Sequence, residues 1–206
     1  MTPNTTYGHV VATAEIFVGM FLTALVTGAF FARFARPHAR LVFSETAVVT
    51  PYEGRRALMV RVASRRMQGI SEAKARMVYL RDEPVGLTRF RRFSELKLAR
   101  DNMPVLSLSW TLIHPIDEES PLFGMTDARL LAEAPTVLVS ISGFDEAISS
   151  TIHDRRSYTP DDIRLGHVFD DILRELPGGF IELDITRLHD TSPLEADLQE
   201  SAVRAS

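Results

Sequence analysis

The run IFVGMFLTALVTGAFFA, from Ile16 to Ala32, carries no charged residue, and ARFARPHAR, from Ala32 to Arg40, follows at once. Extended upstream through Val10, it passes the roughly 20 residues that an α-helix needs to cross a bilayer. Arg33, Arg36 and Arg40 mark the cytoplasmic end by the positive-inside rule. Pro37 has no backbone N–H to continue a helix, and it biases Arg36 away from the helical region. The helix is therefore expected to stop where the charge begins, leaving a single span in the cell membrane and a cytoplasmic C-terminal domain. A cleaved signal peptide fits poorly, because no basic stretch precedes the run and no small-residue cleavage pattern follows it. The chain has no cysteine, which excludes disulfides and thiolate metal sites and suits a reducing compartment.

The rest of the chain is long enough for one domain with a real core. Charge is distributed unevenly along it. From Arg33 to Arg100 there are 16 basic and 6 acidic residues; from Asp101 to Ser206 there are 7 basic and 20 acidic. The basic part directly follows the apolar run, where anionic lipid attracts each Lys or Arg by roughly 1 kcal/mol. No nucleic-acid motif accompanies the basic patch, so no nucleic-acid partner is expected.

Beyond Pro37 the pattern changes to short alternating runs. Strands are expected at Leu41–Thr50, Ala57–Ala63, Ala73–Leu80, Leu87–Leu98, Val105–His114, Val137–Ser142 and Phe180–Arg187. RALMVRVAS (Arg56–Ser64) and KARMVYLR (Lys74–Arg81) alternate with period two, as strands with one wet face should. Turn signals fall at Pro51–Gly54, Met67–Gly69 and Pro177–Gly179. Thr126 and Asp127 open a short helical stretch, DARLLAEA (Asp127–Ala134), with a capping side chain and an early acid. The fold class expected is mainly β: one N-terminal transmembrane α-helix followed by an immunoglobulin-like β-sandwich.

The apolar helix carries more than an anchor needs. Glu15 sits just inside the apolar region, where a carboxylate is costly unless it faces water or a partner. Ala24, Gly28 and Ala32 recur every four residues, a small-residue face on which helices approach closely. Gly19 and Gly28 are hinge candidates. Elsewhere His114, Asp117, Glu118 and Glu119 cluster in HPIDEESP, where a hydrolase or metal site is conceivable. Pro115 and Pro121 bracket these acids, which suits a turn, and no G-x-S-x-G, H-E-x-x-H or phosphate loop occurs. Neither an enzyme, nor a cofactor, nor a bound metal is expected.

At ATAEIFVGM (Ala12–Met20), FARFARPHAR (Phe31–Arg40), HPIDEESPLFG (His114–Gly124) and DDIRLGH (Asp161–His167), the chain resembles the prokaryotic inward-rectifier potassium channels, from Met1 to about Pro193. The resemblance implies a post-filter segment and inner helix over 1–36, a membrane-surface linker over 37–40, a cytoplasmic domain over 41–194 and a frayed tail over 195–206. It implies a homotetramer, potassium as the permeant ion, and regulation by anionic lipid or phosphoinositide headgroups at Arg33, Arg36 and Arg40. It also implies pore-lining roles for Glu15, Thr23, Phe31, Glu72 and Glu146, with a bend at Gly19. Phe31 aligns with the bulky residue that narrows the bundle crossing. Thr23 falls where strong rectifiers carry an acid. Glu72 and Glu146 align with acids of the cytoplasmic vestibule. A grouping with voltage-gated channels follows the same resemblance. The family places an outer helix, a pore helix and a TVGYG-type filter before the inner helix, and this chain therefore reads as the C-terminal portion of a subunit that would not conduct selectively without that filter. The alternative is a membrane-anchored β-sandwich interaction module or non-conducting assembly partner.

Overall fold

The structure, a computed structural model, describes residues 5–34, 41–65, 69–86, 88–132, 136–177 and 179–194. The chain divides into two compact units, Met1–His38 and Ala39–Ser206. The first holds helix α1 (Thr6–Phe34), unbroken through both Gly19 and Gly28. It extends ten residues upstream of the uncharged run, and the segment Thr6–Arg33 is long and apolar enough to cross a membrane. Phe17, Phe21, Leu22, Leu25 and Phe31 are all exposed.

The second unit contains, in chain order, β1 (Leu41–Phe43), β2 (Ala47–Tyr52), β3 (Arg55–Ser64), β4 (Ile70–Val85), β5 (Thr88–Leu96), β6 (Asn102–Leu106), β7 (Ser109–Pro115), α2 (Asp127–Ala132), β8 (Thr136–Asp145), β9 (Ser150–Tyr158), β10 (Ile163–Leu165), β11 (His167–Phe169), β12 (Leu173–Leu176), β13 (Phe180–Leu183) and β14 (Thr191–Pro193). One sheet runs β1-β3-β2-β10 with β7 on the other edge of β3; a second runs β5-β4-β8-β9 with β6 beside β4. Leu58, Val60 and Val62 on β3 share one buried core with Ala75, Met77 and Tyr79 on β4. The two sheets are thus the layers of a sandwich, and the mainly β fold with one apolar helix is as the sequence implies. The β11–β14 and β12–β13 pairs flank it. Arg61 ties the first of these pairs to β3: its guanidinium lies 4.7 Å over the Phe169 ring and donates to the Asp170 carbonyl at 2.7 Å.

Local chemistry explains the elements. Tyr52 pairs with Arg55, and Glu53 and Gly54 between them have φ of 50° and 75°. Positive φ at both central residues is the two-residue hairpin geometry that matches strand twist. The expected strand Leu41–Thr50 is instead two strands, because Ser44 breaks it. The Ser44 hydroxyl donates to the Thr46 carbonyl at 2.8 Å and accepts from the Arg61 N–H at 3.2 Å. Tyr158 reaches across from β9 and donates its hydroxyl to the Ser44 carbonyl at 2.8 Å. The expected strand Val105–His114 also divides, since the chain leaves the second sheet after β6 and enters the first at β7. The alternation continues through the crossing, so periodicity could not reveal it.

Three further differences have similar causes. The strand expected over Ala73–Leu80 begins at Ile70 and runs to Val85. The strand expected over Phe180–Arg187 stops at Leu183, and a 3-10 turn at Ile185–Arg187 follows, capped by the Asp184 carboxylate on the Thr186 N–H. Strand β9 was not expected at all. Ile152 and Tyr158 are buried on its inward side, but Asp154 and Arg156 stand between them and erase the apolar alternation. The expected helix is observed at Asp127–Ala132; its continuation at Glu133–Ala134, the turn at Met67–Gln68 and the tail from Glu195 lie outside the described residues.

Candidate functional site

Two surfaces carry the side chains singled out in the sequence. On α1, Glu15, Thr23 and Phe31 are exposed, Phe31 at 75 %. They are eight residues apart, so each is rotated by about 80° from the last on a regular helix. A straight helix does not place all three on one line. Thr23 donates its hydroxyl to the Gly19 carbonyl at 2.8 Å, an i−4 bond that satisfies the hydroxyl within the helix and favours bending there. A Cβ at Gly19 or Gly28 would meet nothing within 4 Å. Arg33 is exposed in the last turn, where a cation complements the helix dipole. Arg36 and Arg40 lie outside the described residues. Between Glu15 and Arg33 no residue is charged, so the helix has no row of gating charges, and a voltage-gated grouping finds no support.

The second surface is the outer face of the β5-β4-β8-β9 sheet. Ala73, Ala75, Met77 and Tyr79 point into the core, which turns Lys74 and Arg76 outward. At the start of β4 the register slips between Ser71 and Lys74. Glu72 occupies that β-bulge with φ of 51° and is exposed. Gly143 lies opposite, where a Cβ would come within 2.4 Å of Ile70 Cγ2 and 3.1 Å of the Ser71 carbonyl oxygen. The bulge and the missing side chain are therefore one device, letting the two strands approach while the bulged strand re-aims its residues.

Glu146 begins the turn after β8. Asp145, 1 % exposed, accepts the Ala147 N–H at 3.0 Å and fixes that turn. The Ser71 hydroxyl donates to Glu146 Oε1 at 2.6 Å. The structure thus brings the neighbourhoods of Glu72 and Glu146 together at one end of this face, although 74 residues separate them in sequence. Ser71 and Asp145, the residues that make the juxtaposition, carried no sequence signal of their own; only strand pairing reveals them.

The HPIDEESP cluster folds into a packing element. His114 is 2 % exposed and Ser120 7 %. His114 Nδ1 lies 2.7 Å from the Lys97 carbonyl, which can only accept, so Nδ1 carries the proton. Nε2 then accepts from the Ser120 hydroxyl at 2.8 Å, and that oxygen accepts the Leu122 N–H at 3.1 Å. Burial pushes the imidazole pKa below its ordinary value, against the opposing pull of the Lys97 hydrogen bond. Asp117 accepts the Glu119 N–H at 3.2 Å, an Asx turn. Arg56 pairs with Asp127 and donates to the Met125 carbonyl at 3.2 Å, securing the end of the loop. This Ser–His pair is enclosed, and its second ring nitrogen is held by a carbonyl rather than a carboxylate. Among the described residues, no group of three His, Asp or Glu is placed to hold a metal ion.

Comparison with known proteins matches residues 41–205 to the family described as the inward rectifier potassium channel C-terminal domain. The inward rectifier potassium channel Kirbac3.1 of Paramagnetospirillum magnetotacticum is 38 % identical over 184 residues, covering 88 % of this chain and 62 % of that protein. The ATP-sensitive inward rectifier potassium channel 12 of Mus musculus is 30 % identical over 187 residues, covering 86 % and 43 %. The G protein-activated inward rectifier potassium channel 4 of Bos taurus is 29 % identical over 192 residues, covering 89 % and 46 %. The chain spans less than two thirds of the length of these relatives.

Proposed function

Because the chain belongs to the inward rectifier potassium channel family, we propose that α1 lines the inner pore of a homotetrameric channel and that the β-sandwich forms a cytoplasmic vestibule beneath it. The observation that carries this reading is the Ser71–Glu146 hydrogen bond, which holds two exposed acids at one end of one sheet face. Four-fold symmetry turns Glu72 and Glu146 into two rings of carboxylates. Such rings focus the field in a cleft and raise the local concentration of potassium. The all-round apolar surface of α1 is covered by lipid and by other helices, with Ala24, Gly28 and Ala32 as the face of closest approach. In this arrangement, tilt or a bend near Gly19 brings Glu15, Thr23 and Phe31 toward the axis, and a ring of Phe31 side chains closes the path by dewetting. Arg33, Arg36 and Arg40 take anionic lipid headgroups.

The test is single-channel recording of the complete subunit in low-salt solution. Glu72→Gln/Glu146→Gln is expected to lower inward-facing potassium conductance by about twofold, and raising salt should remove the difference. An unchanged conductance at low salt refutes the vestibule assignment. Light scattering that finds a folded monomer only would instead favour a membrane-anchored interaction module.

A further inference from the structure

The strand that ends the described chain points at an uncovered groove. Gly166 donates its N–H to the Val49 carbonyl at 2.9 Å, and Leu194 donates to the Gly166 carbonyl at 2.8 Å. The other end of the β11–β14 pair lies beside Arg61, whose guanidinium stands over Phe169, the residue opposite Thr191. Val49 pairs with Leu58, and Arg61 lies further along β3 toward Ser64. Strand β14 therefore runs from the level of Arg61 to the level of Leu58, toward the β2–β3 hairpin turn at Glu53 and Gly54. The chain leaves Leu194 heading for that hairpin.

A groove of about 860 Å³ lies between this hairpin and the loop that follows β7. Phe123 is 55 % exposed there, beside half-buried Ile116 and Met125, and contiguous apolar side chains of this kind favour a cover. The two walls carry opposite charges. On the hairpin, Arg56 is held by Asp127 and the Met125 carbonyl, but among the described residues no ion pair reaches exposed Arg55. On the loop, Asp117 accepts the Glu119 N–H and Glu119 lies 3.7 Å from Lys97, but among the described residues no ion pair reaches exposed Glu118. Each wall thus keeps one exposed charge free, Arg55 on the side from which the chain arrives and Glu118 on the loop.

The sequence that follows Leu194 is EADLQESAVRAS, Glu195 to Ser206. Its chemistry comes in the order in which the groove presents its own. Glu195 and Asp197 come first and match Arg55; Leu198 and Val203 follow and match the apolar floor; Arg204 comes late and matches Glu118. The lengths agree as well. From Val49 to Tyr52, where the hairpin turns, is about 10 Å along the strand. An extended chain places Leu198 about 14 Å past Leu194 and Val203 about 31 Å past it. Leu198 comes level with the hairpin turn, and Val203 reaches beyond it to the loop.

We propose that the chain's own C-terminal segment, Glu195–Ser206, docks in this groove, with its first acids on Arg55, Leu198 and Val203 against Ile116, Phe123 and Met125, and Arg204 on Glu118. The proposal stands on the exit direction of β14 and the charge order of the groove, and does not depend on the channel reading. The segment is then a built-in cover, which shields Phe123 and keeps other partners out of the groove until it is displaced.

The chain has no cysteine, so introduced thiols report alone. In the full chain in neutral detergent, Glu119→Cys paired with Ala205→Cys should form a disulfide within one chain under mild oxidation, read by mass spectrometry. Lys74→Cys paired with Ala205→Cys, on the outer face of the other sheet, should not. Separately, labelling of Glu119→Cys by a water-soluble thiol reagent should quicken about tenfold when the chain is cut after Leu194, because the reagent then no longer waits for the undocked fraction. Arg204→Glu, which keeps the chain at full length, should quicken labelling in the same direction, and so should raised salt. Arg92→Gln, an exposed cation on β5, should leave it unchanged. Disulfides formed only between two chains, equal crosslinking of the Lys74→Cys pair, or labelling rates that neither the cut nor Arg204→Glu alters would each overturn the proposal.

Discussion

The helix and the sandwich place their apolar side chains in opposite ways. In the sandwich, Leu58, Met77, Tyr79, Leu112 and Ile141 are sealed against one another by the two sheets. On α1, Phe17, Phe21, Leu22 and Phe31 are as apolar and are exposed. The first unit therefore takes its environment from outside the chain, and the second makes its own. A substitution that removes packing should be felt in the domain and be silent for domain stability in the helix.

The largest effect expected is from emptying the shared core. Leu112→Ala should lower the stability of the domain by about 2–5 kcal/mol, whereas Phe21→Ala should leave its unfolding midpoint unchanged. Urea unfolding followed by Trp110 fluorescence reads both; a matching loss in Phe21→Ala would show that the two units are energetically one.

Glycine sharpens the contrast. Gly143→Ala forces a methyl against Ile70 and the Ser71 carbonyl, where the backbone side of the contact cannot yield. It should destabilise the domain by about 1–3 kcal/mol and loosen the Ser71–Glu146 juxtaposition. Gly28→Ala meets open space and should raise helicity slightly, by about 1 kcal/mol in intrinsic preference. Circular dichroism on the pair in detergent checks both directions.

A smaller effect is expected where β9 is pinned to the Ser44 break. Tyr158→Phe deletes the hydroxyl that donates to the Ser44 carbonyl and should cost about 1 kcal/mol. Burial pushes the Tyr158 phenol up to about 12, with the Ser44 hydrogen bond pulling the other way. Ultraviolet titration near pH 10 should therefore count the same number of ionising tyrosines in the folded protein as in Tyr158→Phe; one more in the unaltered protein would place the hydroxyl in water.

The smallest expected effect is the acid dependence of His114. Its folded pKa lies below the ordinary 6.5, so the unfolded chain binds the proton first. The stabilisation is complete above pH 6.5 and declines as pH falls below that value, until the folded imidazole is also protonated. His114→Gln should flatten this limb between about pH 6.5 and 5, above the range where most carboxylates titrate. A slope unchanged by the substitution would assign the limb to other groups.

Some of this was legible from residues alone. RALMVRVAS alternates because both neighbours of β3 present the same inward face, so Leu58, Val60 and Val62 declared the core before any pairing was known. Strand β9 did not, because an edge strand tolerates Asp154 and Arg156 where a central one would not. Of the site residues, Glu72 and Glu146 were reachable through resemblance, while the bulge at Glu72 and its empty partner Gly143 needed the register. The cations of the outer face were half visible: the period of KARMVYLR puts Lys74 and Arg76 on one side, but nothing local says that Ser142 and His153 extend the row.

The sequence by itself determined that an uncharged apolar run meets a basic segment, that a β domain follows, and which of its strands have a wet side. These are properties of nearest neighbours along the chain, set by side-chain period, backbone donors and charge. Only the tertiary structure decided which strands are neighbours, where the chain changes sheets, and that Ser71 reaches Glu146 while Lys74 stands across from His153. Those facts depend on contacts between residues some 75 apart, and pairing energies of that kind are fixed by the whole core rather than by any segment within it.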